Sequence, residues 1–412
     1  MKKLFFSLIC MCMLSCTAEQ YDLTIVGRVL NADGLCRIPI SLIDMLKDDI
    51  KINHIAPFNY QIDTQDIRDD VKDIFCNPDK TAGRVSILVD GLWSINYPTY
   101  SYVPDSHIKI AYSMWESNQI PATWVKVLNQ YFDAVVVPDS FVLKTYVQSG
   151  VTIPIFELPL CLYLNDFLNR TRRFRPGKPF VFGCTATACQ NKNQALLIKA
   201  FVEEFGDTPD IILRLSSRYA IPPKEGSWEK LIQSYGCSNV SLKAGILDNT
   251  QYLENMDSFD CYVNISKGEG YSIGPREALA LGIPSVLSDN SAQMTLTQSG
   301  LVRLVPSNIP APPPTDCDWA GAFGNEDIGF YSDCSLQDVK NALRDVYENY
   351  DLYLNNAKNS PEWVSQYELQ RMKCKYLSLI KPKKVILGSQ NEITDEYLMT
   401  SSEELYNRYL EL

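Results

Sequence analysis

The stretch CYVNISKGEGYSIGPREALALGIP, residues 261–284, passes from an apolar run (Cys261 to Ile265) through a glycine-rich loop into a short helical segment (Pro275 to Leu281). Strand, loop and helix in that order are a βα unit, and chains of such units build parallel sheets covered on both faces. Gly268 and Gly270 lack a Cβ, so a ligand can approach the loop backbone closely. Pro275 pre-sets the first helical turn and leaves its N–H groups open toward the loop, a place for an anion such as a diphosphate. Glu269 and Glu277 flank that loop, where their carboxylates can accept hydrogen bonds from sugar hydroxyls. Taken singly, Glu277 is also the kind of first-turn acid that a helix dipole favours.

The same alternation extends in both directions. Asp22 to Val26, Ile50 to His54, Val85 to Asp90, Ile108 to Ser113 and Ala134 to Val137 read as strands; Ile38 to Leu46 and Ser140 to Gln148 read as helices, the second capped by Ser140. After Leu158-Pro159 the composition shifts to an Arg-rich, polar stretch containing Pro176-Gly177, as linkers do. The pattern restarts with strands Phe180 to Cys184, Ile211 to Leu215 and Val240 to Leu242, and with helices Asn193 to Phe205 and Trp228 to Tyr235. Pro310 to Pro314 reads as a stiff surface connector, and Leu336 to Tyr350 and Glu362 to Ile380 as helices. The expected organisation is a Rossmann-like domain over 21–165, a linker over 166–178, a second Rossmann-like domain over 179–360, a final helix over 361–381 and a polar tail over 382–412. No internal repeat is present, which excludes solenoids and propellers. Two open α/β sheets whose strand ends face one another make a cleft with loops from both.

Composition agrees with an ordinary globular chain of this kind: 412 residues, 46% apolar and 21% charged. With 49 acidic against 38 basic residues the net charge is -11, so no cationic field exists to hold nucleic acid. The 13 cysteines include no C-x-x-C pair, and the 2 histidines, His54 and His107, are too few to complete a structural zinc site. Cys184 and Cys261 lie in apolar runs and read as reduced, buried thiols. The N-terminus stands apart. Lys2-Lys3, the apolar run Leu4 to Leu14 and Ser15-Cys16-Thr17-Ala18 have the three regions of a bacterial export signal, with Cys16 approximating a lipidation site. The run is too short to span a bilayer. Residues 1–20 are therefore set aside as a signal-like leader with three readings: cleaved in an exported lipoprotein, retained as an anchor on the cytoplasmic membrane, or a mis-assigned start of a cytoplasmic protein.

With its surroundings, the 261–284 stretch resembles the Glu-x7-Glu signature of the retaining nucleotide-sugar glycosyltransferases of family 4, which have the GT-B fold. Met114-Trp115-Glu116-Ser117, Ile120-Pro121, Trp124, Leu128-Asn129, Val137-Pro138-Asp139-Ser140-Phe141 and Ser149-Gly150-Val151 are similar to the second half of that family's acceptor domain. Asn191-Lys192-Asn193 resembles the donor-domain loop whose basic residue meets the donor diphosphate. The resemblance covers roughly residues 22–381.

The resemblance implies two facing Rossmann-like domains and a C-terminal helix that crosses back to the first. It implies a hexosyltransferase-type enzyme, using a nucleotide-sugar donor as co-substrate without cofactor or metal, and acting on a hydroxyl of a bacterial glycan or glycolipid. Glu277 would bind the donor ribose hydroxyls, Glu269 the hydroxyls of the transferred sugar, and Lys192 the diphosphate as its charge builds in the transition state. Backbone N–H groups of Gly270, Tyr271, Ser272 and Ile273 would face sugar and phosphates. Gly34, after Asp33, resembles the N-terminal glycine loop of the family; the same pair also reads as a plain βα turn. The chain departs from the pattern twice. Gly183-Cys184-Thr185-Ala186 lacks the arginine that follows this glycine in many members, and Trp115-Glu116 stands where many carry a histidine, which makes Glu116 a candidate for contact with the sugar or acceptor hydroxyl. Asp316-Cys317-Asp318 spells an Asp-x-Asp triplet, but it follows the proline-rich connector and has no third ligand, so a metal is not expected there. Two other classes compete with the transferase: an exported two-lobed ligand-binding lipoprotein, and a catalytically inactive GT-B glycan-binding protein.

Overall fold

Runs rich in Val, Ile and Leu that are buried at every position, not at alternate ones, form strands covered on both faces, and this chain has them at Leu23–Gly27, Val85–Val89 and Ala134–Val137. The computed structural model describes residues 21–30, 33–59, 62–63, 66–76, 81–92, 98–170, 178–223, 226–315 and 322–380. The leader, residues 171–177 of the expected linker, Asp316-Cys317-Asp318 and the polar tail lie outside the described residues.

The first half runs β1 (Leu23–Gly27), α1 (Arg37–Leu46), β2 (Ile52–Ile55), α2 (Asp69–Phe75), β3 (Val85–Val89), β4 (Ile108–Tyr112), α3 (Ala122–Tyr131), β5 (Ala134–Val137), α4 (Ser140–Ser149), β6 (Ile155–Glu157) and the short α5 (Asn165–Leu168). The second runs β7 (Phe180–Thr185), α6 (Gln194–Phe205), β8 (Ile211–Ser217), α7 (Trp228–Ser234), β9 (Val240–Ala244), α8 (Asn249–Asp257), β10 (Cys261–Asn264), α9 (Ile273–Ala280), β11 (Ser285–Asp289), α10 (Met294–Thr297), β12 (Arg303–Pro306), β13 (Ile309–Ala311), β14 (Tyr331–Asp333) and α11 (Leu336–Glu348). Three helices close the chain: α12 (Tyr350–Ala357), α13 (Ser360–Val364) and α14 (Leu369–Ile380).

Two 6-stranded sheets result, ordered β2-β1-β3-β4-β5-β6 and β12-β11-β10-β7-β8-β9. Every pairing in both is parallel. Each sheet has a point where the direction of winding reverses, between β1 and β3 in the first and between β7 and β10 in the second. Loops that leave neighbouring strands toward opposite faces at such a point open a crevice beyond the strand ends. The loops after β1, β3, β7 and β10 are thus the ones the topology commits to a ligand.

One apolar cluster occupies the outer face of the second sheet, with Phe182, Phe201, Leu213 and Val263. Another continues from the first sheet and α1 through Tyr376, Tyr367 and Tyr271 to α9, and so joins the halves. The joint is made by the last helices: α13 packs on α9, whereas α14 packs on α1. The single helix expected over Glu362 to Ile380 is therefore broken. Ser365–Tyr367 forms a 3-10 turn, Tyr367 O accepts from Leu162 N at 2.9 Å, and Leu369 N donates to Leu162 O at 2.9 Å. Pairing with Leu162 where the chain crosses between domains takes over the backbone groups that a continuous helix would need.

Other local expectations shift for equally physical reasons. Asp139, not Ser140, caps α4: its backbone is extended and its carboxylate accepts from Phe141 N at 2.9 Å. Pro310 belongs to a strand, since Ile309–Ala311 pairs antiparallel with Tyr331–Asp333. The start of the expected linker is helical, with Phe167 buried and Arg170 paired with Asp257 at 2.9 Å. His54 is buried in β2 with Nε2 2.9 Å from Gly27 O, and His107 is exposed at the amino end of β4, away from the cleft. The cysteines among the described residues, Cys184 and Cys261 included, carry free thiols. No helix among the described residues is long and apolar enough to cross a membrane.

Candidate active site

The loop between β10 and α9 is fastened from below. Ser266 Oγ donates to Glu269 Oε1 at 2.6 Å, Glu269 N donates to Ser291 Oγ at 2.8 Å, and Asn290 Nδ2 donates to Ser266 O at 2.9 Å. These bonds leave the Glu269 carboxylate 8% exposed and aimed at the cleft. Lys192 arrives from the 3-10 turn Gln190–Lys192 beyond β7, and its Nζ lies 3.0 Å from Glu269 Oε1. The same ammonium lies 3.2 Å from Glu116 Oε1, on the loop after β4 of the other domain. Asn191 Nδ2 bridges the domains as well, donating to Glu116 Oε2 at 2.5 Å and to Gly268 O at 3.2 Å. All three residues named as catalytic candidates therefore meet in one cluster.

One ammonium stands between a buried carboxylate, Glu269, and a half-buried one, Glu116, so its charge cannot neutralise both. Burial opposes charge on Lys192, but the attraction of Glu116 and Glu269 outweighs it and holds the ammonium protonated well above the ordinary lysine range. Burial pushes the Glu116 carboxyl up; Lys192 offsets part of that shift and the Glu269 charge adds to it. Gly268 lies where the two domains approach closely. A Cβ there would collide with the Glu116 carbonyl oxygen and meet the Tyr331 ring, which explains glycine at this position.

Glu277 sits one helical turn further on, at 1% exposure, and is not in that cluster. Its Oε1 pairs with Arg37 Nη1 at 3.1 Å and its Oε2 accepts from Tyr252 OH at 2.7 Å. Burial and the neighbouring Glu277 charge raise the Tyr252 hydroxyl well above its ordinary value, so it stays a donor. Neither partner follows from the sequence reading. Tyr252 lies on α8, which no apolar periodicity marks; its signal is the capping box of Asp248 and Gln251, with Gln251 N donating to Asp248 Oδ1 at 2.8 Å. Arg37 opens α1 without any motif, and only the meeting of the domains gives it a role.

Helix α9 begins at Ile273, two residues before the expected start at Pro275, because Ser272 turns the chain with a left-handed backbone (φ 66°, ψ 70°). Gly270, Ser272 and Ile273 line the cleft. Tyr271 lines it only by its backbone edge: its side chain is 2% exposed, its OH donates to Leu160 O at 3.3 Å and its ring covers Arg276 at 3.6 Å. Arg276, itself fully buried, donates to Tyr271 O and Ser272 O and so braces the left-handed turn from beneath.

Gly34 also faces the cleft. Its neighbour Asp33 folds back on the start of α1, where Oδ1 accepts from Leu35 N at 3.0 Å and Cys36 N at 3.1 Å, while Oδ2 pairs with Arg218 Nη1 at 2.5 Å across the cleft.

The cleft holds two adjoining cavities. One of about 610 Å³ is lined by Glu277, Tyr252, Arg37, Lys243 and Ile246. The other, of about 390 Å³, is lined by Glu269, Lys192, Glu116, Asp90, Trp115 and Trp124. Each is of a size that takes part of a small-molecule ligand. Among the described residues, no group of three or more His, Cys, Asp and Glu side chains could hold a metal ion, and the position between Glu116 and Glu269 is taken by the Lys192 ammonium.

No protein-family profile and no curated protein sequence matches the chain. Solved structures do. HepE from Anabaena in complex with UDP-glucose is similar with a TM-score of 0.59 at 13% identity, over 87% of this chain and 99% of that one. WaaG, a glycosyltransferase involved in lipopolysaccharide biosynthesis, is similar with a TM-score of 0.58 at 13% identity, over 88% of this chain and 100% of that one. TarM gives a TM-score of 0.52 at 13% identity over 72% of this chain, which spans about half of TarM (54%). The fold is that of the GT-B glycosyltransferases: two parallel six-stranded α/β domains facing a cleft, with the C-terminal helix crossing back.

Proposed function

We propose that this chain is a retaining, family 4-type glycosyltransferase that moves a hexosyl group from a nucleotide-diphosphate sugar to a hydroxyl of a glycan or glycolipid, without a metal ion. One observation carries the reading. Two adjoining cavities share the cleft, the larger holding a buried carboxylate with a tyrosine hydroxyl and the smaller a lysine between two carboxylates. A nucleoside fits the larger cavity, with its ribose hydroxyls donating to Glu277. The sugar fits the smaller, with its hydroxyls on Glu269. The diphosphate then lies between them, at the start of α9 and within reach of Lys192, whose charge and the helix dipole do the work of a metal. The structural neighbour HepE holds UDP-glucose, which supports a donor of this class.

In the reaction the sugar C1–O bond to the diphosphate breaks as Lys192 takes up the growing negative charge. The acceptor hydroxyl approaches from the same face, on the Glu116 side; its oxygen bonds to C1 and its proton passes to the leaving phosphate oxygen. The anomeric configuration is kept. A Glu116 carboxyl that holds its proton above the ordinary range can donate to the sugar or accept from the attacking hydroxyl, a positioning task in either case.

The test is a nucleotide-release assay on the full chain over UDP-, GDP- and ADP-sugars, with chelator present and with Glu277→Ala as control. Release that survives the chelator and is lost in the variant supports the proposal. Donor binding without release in any acceptor mixture would favour an inactive glycan-binding protein, and absence of both release and binding would favour the two-lobed binding protein.

A further inference from the structure

The two cavities meet where a diphosphate joining nucleoside to sugar must lie. The residues lining both are Gly34, Thr185, Ala186, Thr187, Arg218, Ile273 and Gly274, and of these Arg218 alone carries a charge. Lys192 belongs to the smaller cavity only, and its charge is already shared by Glu116 and Glu269. A diphosphate placed at the junction therefore lacks a second cation unless Arg218 supplies it. We infer that Arg218, at the end of β8, is a diphosphate-binding residue and that the Asp33 carboxylate holds the phosphate position while the site is empty; the inference rests on the donor reading above.

Asp33 sits as an anion bound in a site sits. It accepts from two backbone N–H groups, Leu35 at 3.0 Å and Cys36 at 3.1 Å, and from the Arg218 guanidinium at 2.5 Å. Backbone amides at a helix start together with a guanidinium are the donor set that phosphate oxygens use. The guanidinium has capacity left: Arg218 Nε is buried and has no hydrogen-bond partner among the described residues, and the group lies 4.5 Å above the Tyr219 ring, which fixes its plane. A fork held in one orientation with an open donor matches a phosphate in bidentate fashion, a task a lysine cannot perform. When the donor enters, Asp33 must yield Arg218 to it, because carboxylate and phosphate repel at this spacing.

The test is calorimetric titration of the full chain with UDP, GDP and ADP, each beside its nucleoside. Arg218→Ala should weaken the binding diphosphate tenfold or more, about the worth of one charge-assisted hydrogen bond, and leave nucleoside affinity unchanged. Arg218→Lys should recover part of the loss. Asp33→Asn, which keeps an acceptor for Leu35 N and Cys36 N, should tighten diphosphate binding. If both variants weaken diphosphate and nucleoside alike, the pair only ties the domains together and the inference falls. Diphosphate binding that is lost in Glu277→Ala but untouched in Arg218→Ala overturns the inference alone. No diphosphate binding to the unaltered chain would overturn the donor reading and this inference with it.

Discussion

Lys192→Met removes the one cation from a cluster of two carboxylates while keeping the length of the side chain. At 3.0 Å and 3.2 Å from Glu269 and Glu116, each pair is worth about 5 kcal/mol of attraction at an effective dielectric near 20. Most of that offsets dehydration, and stripping one partner from a buried ion pair leaves a net cost of about 3 kcal/mol. The cost depends on pH in a definite direction. Without the ammonium, burial pushes the Glu116 carboxyl up with less to offset it, so the variant's deficit is small in acid and grows as pH rises through the folded-state value of Glu116. Catalysis should suffer separately, because the charge that meets the leaving diphosphate acts mainly in the transition state: kcat falls about 10²–10³-fold while donor KM changes little. Nucleotide release at saturating donor reads the loss of catalysis, and urea unfolding near pH 5 and pH 8 reads the loss of stability. Undiminished kcat in a variant whose stability deficit is the same at both pH values would refute the placement of Lys192 at the reacting centre.

Other variants probe the remaining parts. Glu277→Gln keeps an acceptor for Tyr252 OH but removes the charge facing Arg37 and the ribose, so donor KM should rise about tenfold or more with the fold intact; unchanged KM would place the nucleoside elsewhere. The Glu116 carboxyl is raised above its ordinary 4.5 by burial, so its contribution to stability is present in acid and lost as pH climbs through the folded value. Glu116→Gln should therefore gain stability relative to the unaltered chain as pH rises from about 4 to 8, and a flat difference in urea midpoints would contradict that environment. Gly268→Ala puts a methyl against the Glu116 carbonyl and the Tyr331 ring; a loss of about 1–3 kcal/mol in stability and a fall in turnover are expected, and wild-type behaviour would show that the domains do not close on this loop.

The fold was legible where one principle acts alone. A strand such as Ala134–Val137 is apolar at every position because both faces are covered, and no helix pattern competes with it. Legibility failed where tertiary contacts override local preference. The segment from Glu362 onward reads as one amphipathic helix, yet Leu162 pairs with Tyr367 and Leu369 and breaks it. Ser140 and Pro275 carry strong local signals, but Asp139 and Ser272 take the boundary positions because the preceding turns place them there. Helix α8 has a short, weakly patterned face, and only its capping box announces it.

The glycine-rich loop with its two glutamates could be read from residues 261–284 alone, since strand, turn and helix are set by near neighbours. The chemistry of the cleft could not. Glu116 meets Lys192 across 76 positions, Arg37 meets Glu277 across 240 and Arg218 meets Asp33 across 185. Such pairs form only when two parallel sheets bring the loops beyond their strand ends face to face, a geometry that no local pattern encodes. Local periodicity determined the elements and the glycine loop of this protein; the packing of its two domains decided which charges share a site.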